Sequence, residues 1–518
     1  MQSALQPLLD PPRYERHRPE TTLLYQLVER HYPGFVAALA AKGRHLPGYV
    51  EQEFAAYLKC GRLEHGFLRV RCTACHAERL VAFSCKRRGF CPSCVARRMI
   101  ETAALLVDEV LPPEPLRQWV LSVPFPLRYL FATDPAAMGA VLGIAYRAIA
   151  AHLVRKAGLT KKTGQTGAVT LIQRFGSALN LNIHFHLLVL DGAYELTAVG
   201  PRFRRVAPPT AAELDALLGQ IVTRIARHLE RRGLLARDAE NAYLGTDPGE
   251  QDGLAAVVGH SITYRIAVGP NEGRKAFTLQ TLAPALEAPG TAQALAKHSG
   301  FSLHAGVAAA AHQRDKVERL CRYIARPAVA TGRLALTAQG LVRYTLKTPY
   351  RDGTTHVIFE PLEFTRHIPV PRPCGAACGC ANRQSCRFVI ARLAALVPKP
   401  RVHLTRYHGV LAPHSSLRSQ VTPAGRGKRT ASAERSAAER HRAMRWAQRL
   451  KRVFRIDIET CERCGGKMQI IASVEDPAVI GRILSHLQER EGASRALTED
   501  SAVRGPRGPP GQRTLDLH

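Results

Sequence analysis

The stretch NLNIHFHLLVLDG (180–192) narrows the fold more than any other part of the chain. Read at period two, Leu181, Ile183, Phe185, Leu187 and Val189 fall on one face, and Asn180, Asn182, His184 and His186 fall on the other. Asp191-Gly192 reads as a turn that closes this strand. Upstream, GAVTLIQRF (167–175) reads as a second strand, joined to the first through a turn at Gly176-Ser177. Strands joined this tightly run antiparallel, so the expected framework is an antiparallel sheet with an apolar back and a polar front. Two histidines at i, i+2 on that front fit a metal site, and they also fit a solvated polar face.

Length and charge set the wider frame. A chain of 518 residues exceeds the usual size of a single core, so more than one domain is expected. Lys and Arg outnumber Asp and Glu by 73 to 42, a net charge of +31, which points to a polyanionic partner, nucleic acid first. An anionic membrane surface would call for a basic amphipathic anchor or a lipidation signal, and neither is found. The N-terminus MQSALQPLLDPPRYERHRPE has no apolar signal-peptide core, and the stretch 136–154 carries Arg147 and His152 and reads as an amphipathic helix. A cytoplasmic protein without membrane partners is expected, with its 13 cysteines reduced.

Clustered cysteines then read as metal ligands. RCTACHAERLVAFSCKRRGFCPSC holds Cys72-x2-Cys75 and Cys91-x2-Cys94 with 15 residues between the pairs, a spacing that fits one structural Zn²⁺ held by four thiolates. Cys60 and Cys85 are extra, and the lone pair Cys461-x2-Cys464 is half a site. Lys86, Arg87, Arg88, Arg97 and Arg98 surround the second knuckle, either as a rim for a phosphate backbone or as a solvated surface.

A third feature is the predicted helix AHQRDKVERLCRYIARP (311–327), which ends at Pro327. At 100° per residue, Val317, Leu320, Cys321 and Ile324 gather on one side, with Lys316, Arg319, Tyr323 and Arg326 on the other. A tyrosine among cations fits a nucleophile that meets a phosphate, and equally a surface Tyr–Arg cluster.

Taken in order, ERHRPETTLLYQLVERHYPGF, CGRLEHGFLRVRC, AFSCKRRGFCPSCVARRM, IQRFGSALNLNIHFHLLVLDG, ERLCRYIARP, TRYHGVLAPHS and CERCGGKMQIIASVEDP resemble the transposases of the insertion sequence 91 family, over residues 14–488. The resemblance implies an HUH-type enzyme (His, bulky hydrophobic, His) that acts on single-stranded DNA at transposon ends and target. It implies that His184 and His186 hold Mg²⁺ or Mn²⁺, with Gln173 as candidate third ligand and His304 as the alternative. It implies that Tyr323 is the nucleophile, forming a 5′-phosphotyrosine link; Arg319 and Arg326 beside it are then candidate DNA contacts, as cations that would hold a phosphate within reach of its hydroxyl.

Two departures stand out. Founding members carry two tyrosines one helical turn apart, whereas Arg319 and Pro327 occupy those positions here, with Tyr344 and Tyr350 lying beyond the helix. Residues 365–389 form an insertion containing Cys374, Cys378, Cys380 and Cys386, with no standard zinc spacing. The expected fold is α+β: an HUH-endonuclease-like central antiparallel sheet flanked by helices, preceded by a small helical zinc-binding domain. The expected domains are 1–110 (helical and zinc-binding), 111–420 (catalytic), 421–455 (basic linker and helix), 456–490 (CxxC segment) and 491–518 (disordered tail). The alternatives are a replication initiator or relaxase with the same site, and a catalytically inactive zinc-stabilised DNA-binding protein. Self-association is left open.

Overall fold

In a computed structural model, the described residues are 18–237, 242–244, 253–268, 271–282, 294–338, 340–359, 385–425, 459–487 and 489. The expected basic helix at 426–452, the tail after 491 and Cys374, Cys378 and Cys380 of the insertion lie outside them. The fold is α+β, with helices and antiparallel strands mixed along the chain. Two units result, and they do not follow one another in sequence. One comprises Glu20–Leu58 with Cys85–Asp457, the other Lys59–Ser84 with Ile458–His518.

The large unit is built on a six-stranded sheet. Its strands in chain order are β1 (Leu116–Ser122), β2 (Gly167–Phe175), β3 (Leu181–Leu190), β4 (Leu295–His298), β5 (Phe301–Ala309) and β6 (Thr405–Gly409). Their spatial order is β4-β5-β1-β3-β2-β6, and every neighbouring pair is antiparallel. The β2–β3 hairpin turns where expected: the Gly176 N–H donates to the Asn180 carbonyl at 2.9 Å. A side chain at Gly176 would collide with the Asn180 carboxamide, so glycine is required there.

Asp191-Gly192 behaves otherwise than the expected turn. The chain bends at Asp191 and goes directly into the strand Gly192–Thr197, which does not fold back on β3 but pairs in a separate three-stranded sheet. Buried Asp191 is claimed by Arg117 of β1, through Nε–Oδ1 at 3.0 Å and Nη2–Oδ2 at 2.8 Å. Gly192 is needed because a Cβ there would strike the Arg204 carbonyl. The ion pair, and not a tight turn, therefore fixes this end of β3.

Helices cover both faces of the sheet. On the face bearing His184 and His186 lie α1 (Pro92–Leu105) and α2 (Arg314–Ile324). Ala103 of α1 and Val317, Cys321 and Ile324 of α2 pack there on Val169, Leu171, Leu188 and Leu190. The histidine face is thus polar only at one end, because Leu188 and Leu190 continue it as core. Each of the buried α2 side chains contributes roughly 1.5–3 kcal/mol by leaving water. On the other face, Phe131 of the helix Phe125–Thr133 meets Phe185 at 5.9 Å between ring centres.

Helix Pro135–Lys156 is the one described helix long and apolar enough to cross a membrane, and Met138, Val141, Leu142, Ala145 and Ile149 bury it in the core. Helix Leu23–Ala40 runs through Pro33 without a break. Pro33 is exposed, while His31, Phe35 and Leu39 on the opposite side are buried, so packing outweighs the lost backbone bond. Helix Ser385–Leu396 begins inside the insertion, and its Arg392 donates to the Ala178 carbonyl in the β2–β3 turn at 3.1 Å.

The small unit is a three-stranded antiparallel sheet in the order Met468–Val474, Phe67–Cys72, Glu78–Ala82. Its core is slight: Phe67, Val474 and Ile480 are buried, with Leu63, Leu80 and Ile483 against them.

Candidate functional site

His184 and His186 lie side by side on β3, with ring centres 4.8 Å apart. Each ring is oriented by a neighbour. The His184 Nδ1–H donates to the Asn182 carbonyl at 2.9 Å, which leaves Nε2 with its lone pair. The His186 Nδ1 meets the Nε2 end of the Gln118 carboxamide on β1 at 2.6 Å. An amide can meet the ring either way round; with its oxygen accepting from Nδ1–H, the lone pair again falls on Nε2. The Nε2 of His186 is buried and has no hydrogen-bond partner. Burial first, then the cation Arg326, lowers His184 to about 4, with Arg128 adding to the effect. Burial, His184 and Arg326 lower His186 to about 3. Both imidazoles are therefore neutral at physiological pH, as metal coordination requires.

Gln173 stands directly across from His184 in the β2–β3 register. Its Nε2 donates to the Ile324 carbonyl at the end of α2, at 2.9 Å. That bond aims the amide and ties the tyrosine helix to the histidine strand. His304 sits two strands from His186 through Val120, with its ring turned against Gly306. Among the described residues, no His, Cys, Asp or Glu completes a three-membered ligand group with the two histidines.

Tyr323 is 43% exposed on α2. Arg326 lies over its ring at 4.2 Å and Lys347 at 4.0 Å. Burial alone would raise the phenol, but Arg326 and Lys347 outweigh it and hold the pKa below the ordinary value. Lys347 was not among the sequence candidates. Cys321, on the opposite side of α2, is buried, and burial pushes its thiol up to about 12. Tyr344 is buried, and Tyr350 accepts from Ser177 Oγ at 3.4 Å, so neither is presented as Tyr323 is.

The remaining cations are dispersed. Arg319 is exposed on α2. Arg88 donates to the Val402 carbonyl at 2.9 Å, Arg98 to the Lys86 carbonyl at 3.0 Å, and Arg97 pairs with Glu101 at 3.1 Å. Arg87 is half-buried. A cavity of about 380 Å³ runs beside the tyrosine helix, lined by Arg88, Arg98, Gln173, Phe175, Arg326 and Tyr407 among others.

The cysteines group differently from the expected set. Cys72, Cys75, Cys91 and Cys94 do not form one four-thiol group; Cys72 and Cys75 meet Cys461 and Cys464 instead. In the large unit Cys85, Cys91 and Cys94 gather, with the Cys85 and Cys94 sulfurs 3.4 Å apart. The pairing follows strand register: Met468–Val474 lies antiparallel to Phe67–Cys72 with Met468 opposite Cys72, which carries the C-terminal knuckle to the first.

Two family models match parts of the chain. A transposase family model matches residues 167–372, which include His184, His186, Tyr323 and Lys347. A transposase zinc-binding domain model of the insertion sequence 91 type matches residues 27–123. No curated protein and no solved structure matches the chain. The zinc-binding model together with the thiol groups supports structural Zn²⁺.

Proposed function

Because this chain belongs to the insertion sequence 91 family of transposases, a DNA-processing and DNA-binding family, we propose that it cleaves and rejoins single-stranded DNA at element ends through Tyr323, as a cytoplasmic enzyme. The observation that carries this reading is the position of Arg326. Its guanidinium covers the Tyr323 ring, and after burial its charge is among the causes that hold both histidines below the ordinary imidazole range, while Gln173 opposite His184 is bonded to the end of the tyrosine helix.

His184 and His186 would hold Mg²⁺ or Mn²⁺, with Gln173 as third ligand; the neutral rings and the partnerless buried Nε2 of His186 fit such an ion. A bound divalent cation supplies charge to offset that on the phosphoryl oxygens. Tyr323 Oη attacks phosphorus, the P–O3′ bond breaks, and the departing 3′ oxygen takes up a proton. The product is a tyrosine–5′-phosphate ester beside a free 3′-OH. Attack by a 3′-OH on that ester reverses the balance, restores the phenol and joins the strands without ATP. Arg326 and Lys347 stabilise the phenolate before attack. Phe175 and Tyr407 offer stacking surfaces, and Arg88 and Arg98 offer charge, along the adjoining cavity.

The test uses labelled single-stranded oligonucleotides that tile the DNA flanking the gene, incubated with protein and Mg²⁺ or Mn²⁺ and run on a denaturing gel. A protease-sensitive labelled band is expected. His184→Ala/His186→Ala should lose that band while keeping DNA affinity, since the net charge of +31 is untouched. A double variant that forms as much adduct as wild type would remove the histidines from the mechanism.

Gln118 acts through His186 and is a positioning residue. Gln118→Leu should weaken metal affinity roughly 10–100-fold, read as a shift of the Mn²⁺ titration of adduct formation, with saturating metal restoring much of the yield. An unchanged titration midpoint would show that the Gln118 bond does not orient the ligand.

A further inference from the structure

The two CxxC knuckles of the small unit are near-copies of one another. In the first, the Cys72 N–H donates to the Ala77 carbonyl at 2.9 Å and the His76 N–H to the Cys72 carbonyl at 3.2 Å. In the second, the Cys461 N–H donates to the Gly466 carbonyl at 2.7 Å and the Gly465 N–H to the Cys461 carbonyl at 2.9 Å. The fifth residue of each knuckle is left-handed, His76 at φ 58° and Gly465 at φ 71°. Their thiols pair crosswise: Cys72 with Cys464 at 3.5 Å and Cys75 with Cys461 at 3.5 Å. First meets second and second meets first, the relation that a local two-fold axis imposes.

Sulfur separations of this size match a tetrahedral ion. Four thiolates at about 2.3 Å from Zn²⁺ stand about 3.8 Å apart, and the four sulfurs here all lie within 4.8 Å of one another. A disulfide would need a sulfur separation of about 2.05 Å. The backbone closes around the same point. A Cβ on Gly466 would stand 2.9 Å from the Cys72 sulfur and 3.2 Å from that of Cys464, so the second glycine of CERCGG leaves room for the sulfurs. The Ala74 N–H points at the Cys72 sulfur at 3.4 Å, and Thr73 bonds the Lys467 carbonyl through its N–H at 2.9 Å, fastening knuckle to knuckle.

We propose that Cys72, Cys75, Cys461 and Cys464 form a single Zn²⁺ site, a two-fold pair of knuckles from distant parts of the chain that closes the small unit. Cys461 and Cys464 lie far outside residues 27–123, the span of the zinc-binding family model. Among its described residues few apolar side chains are buried in the small unit's core, so such a staple would add much to its stability. The zinc-binding module is therefore complete only when the C-terminal segment has been made and has paired beside Phe67–Cys72. This inference does not depend on the catalytic reading.

The experiment is metal analysis of the purified full-length chain. Cys461→Ser/Cys464→Ser should lose one zinc ion per chain. Cys72→Ser/Cys75→Ser should lose the same one, and the fourfold variant no more than either. A fourfold loss larger than each double loss, or full zinc content in Cys461→Ser/Cys464→Ser, overturns the proposal. Thiol labelling of the wild type needs no variant to fold. Cys75 and Cys464 are exposed, so burial does not protect them from alkylation, whereas a metal bond would. Both should resist labelling in the zinc-loaded protein and become reactive together once a chelator is added; ready labelling before chelation overturns the site.

Discussion

Tyr323→Phe forms no covalent adduct with DNA, yet it binds the same oligonucleotides and unfolds at the wild-type temperature. The substitution removes one oxygen from a 43%-exposed ring and leaves the ring itself for Arg326 and Lys347 to rest on. Stability should therefore move by no more than about 0.5 kcal/mol. Chemistry loses its nucleophile, and a loss of at least about a thousandfold is expected. An adduct of unchanged yield would place the nucleophile elsewhere. The same site predicts a pH dependence. The histidines, at about 4 and 3, stay neutral at every pH above about 5, so their protonation does not limit the reaction near neutrality. The limb that remains is the phenol. Lys347 lowers its pKa, so Lys347→Met should raise that pKa, displace the ascending limb of the rate profile to higher pH and slow adduct formation near neutrality. A profile that keeps its position in Lys347→Met would mean that the ammonium does not act on the phenol.

What the sequence disclosed, and what it hid, follows from the range of each interaction. The β2–β3 hairpin, the alternation that faces His184 and His186 together and the apolar stripe of Val317, Cys321 and Ile324 are local patterns, and local periodicity reports them. Lys347 carries no pattern of its own. It reaches Tyr323 from the segment after the strand Val342–Thr345, and only the fold shows that. Gln118 is hidden likewise, being an ordinary polar residue in a mostly buried strand until β1 is laid beside β3. The cysteines mislead for a definite reason. Closing a short loop costs less entropy than closing a long one, so the nearest two pairs look like one site. Strand register overrides this, since Met468 opposite Cys72 brings the distant knuckle within bonding reach. Leu188 and Leu190 share the histidine face yet lie under α2, so the polar front of β3 is only as long as the site.

Arg117→Met or Asp191→Asn should cost about 3–5 kcal/mol of stability. The two side chains are 7% and 5% exposed, and they meet through two parallel bonds. Arg117 also donates to the Ala305 carbonyl at 2.9 Å, beside the bulge in the pairing of β1 with β5. Removing either partner strands the other: an unpaired carboxylate in the first variant, an arginine facing a neutral amide in the second. The double variant Arg117→Met/Asp191→Leu strands no charge, so it should recover a substantial part of the loss. Denaturant unfolding of the three variants measures the difference. If the single variants cost less than about 1 kcal/mol, water reaches the pair and the Asp191 bend is held by backbone alone. The prediction has a catalytic consequence as well. Asp191 directly follows the strand that carries the histidines, and Arg117 is the neighbour of Gln118, which meets His186. Loss of the ion pair should therefore lower metal affinity along with stability, whereas a variant equally destabilised in the small unit should leave the metal titration of adduct formation where it was.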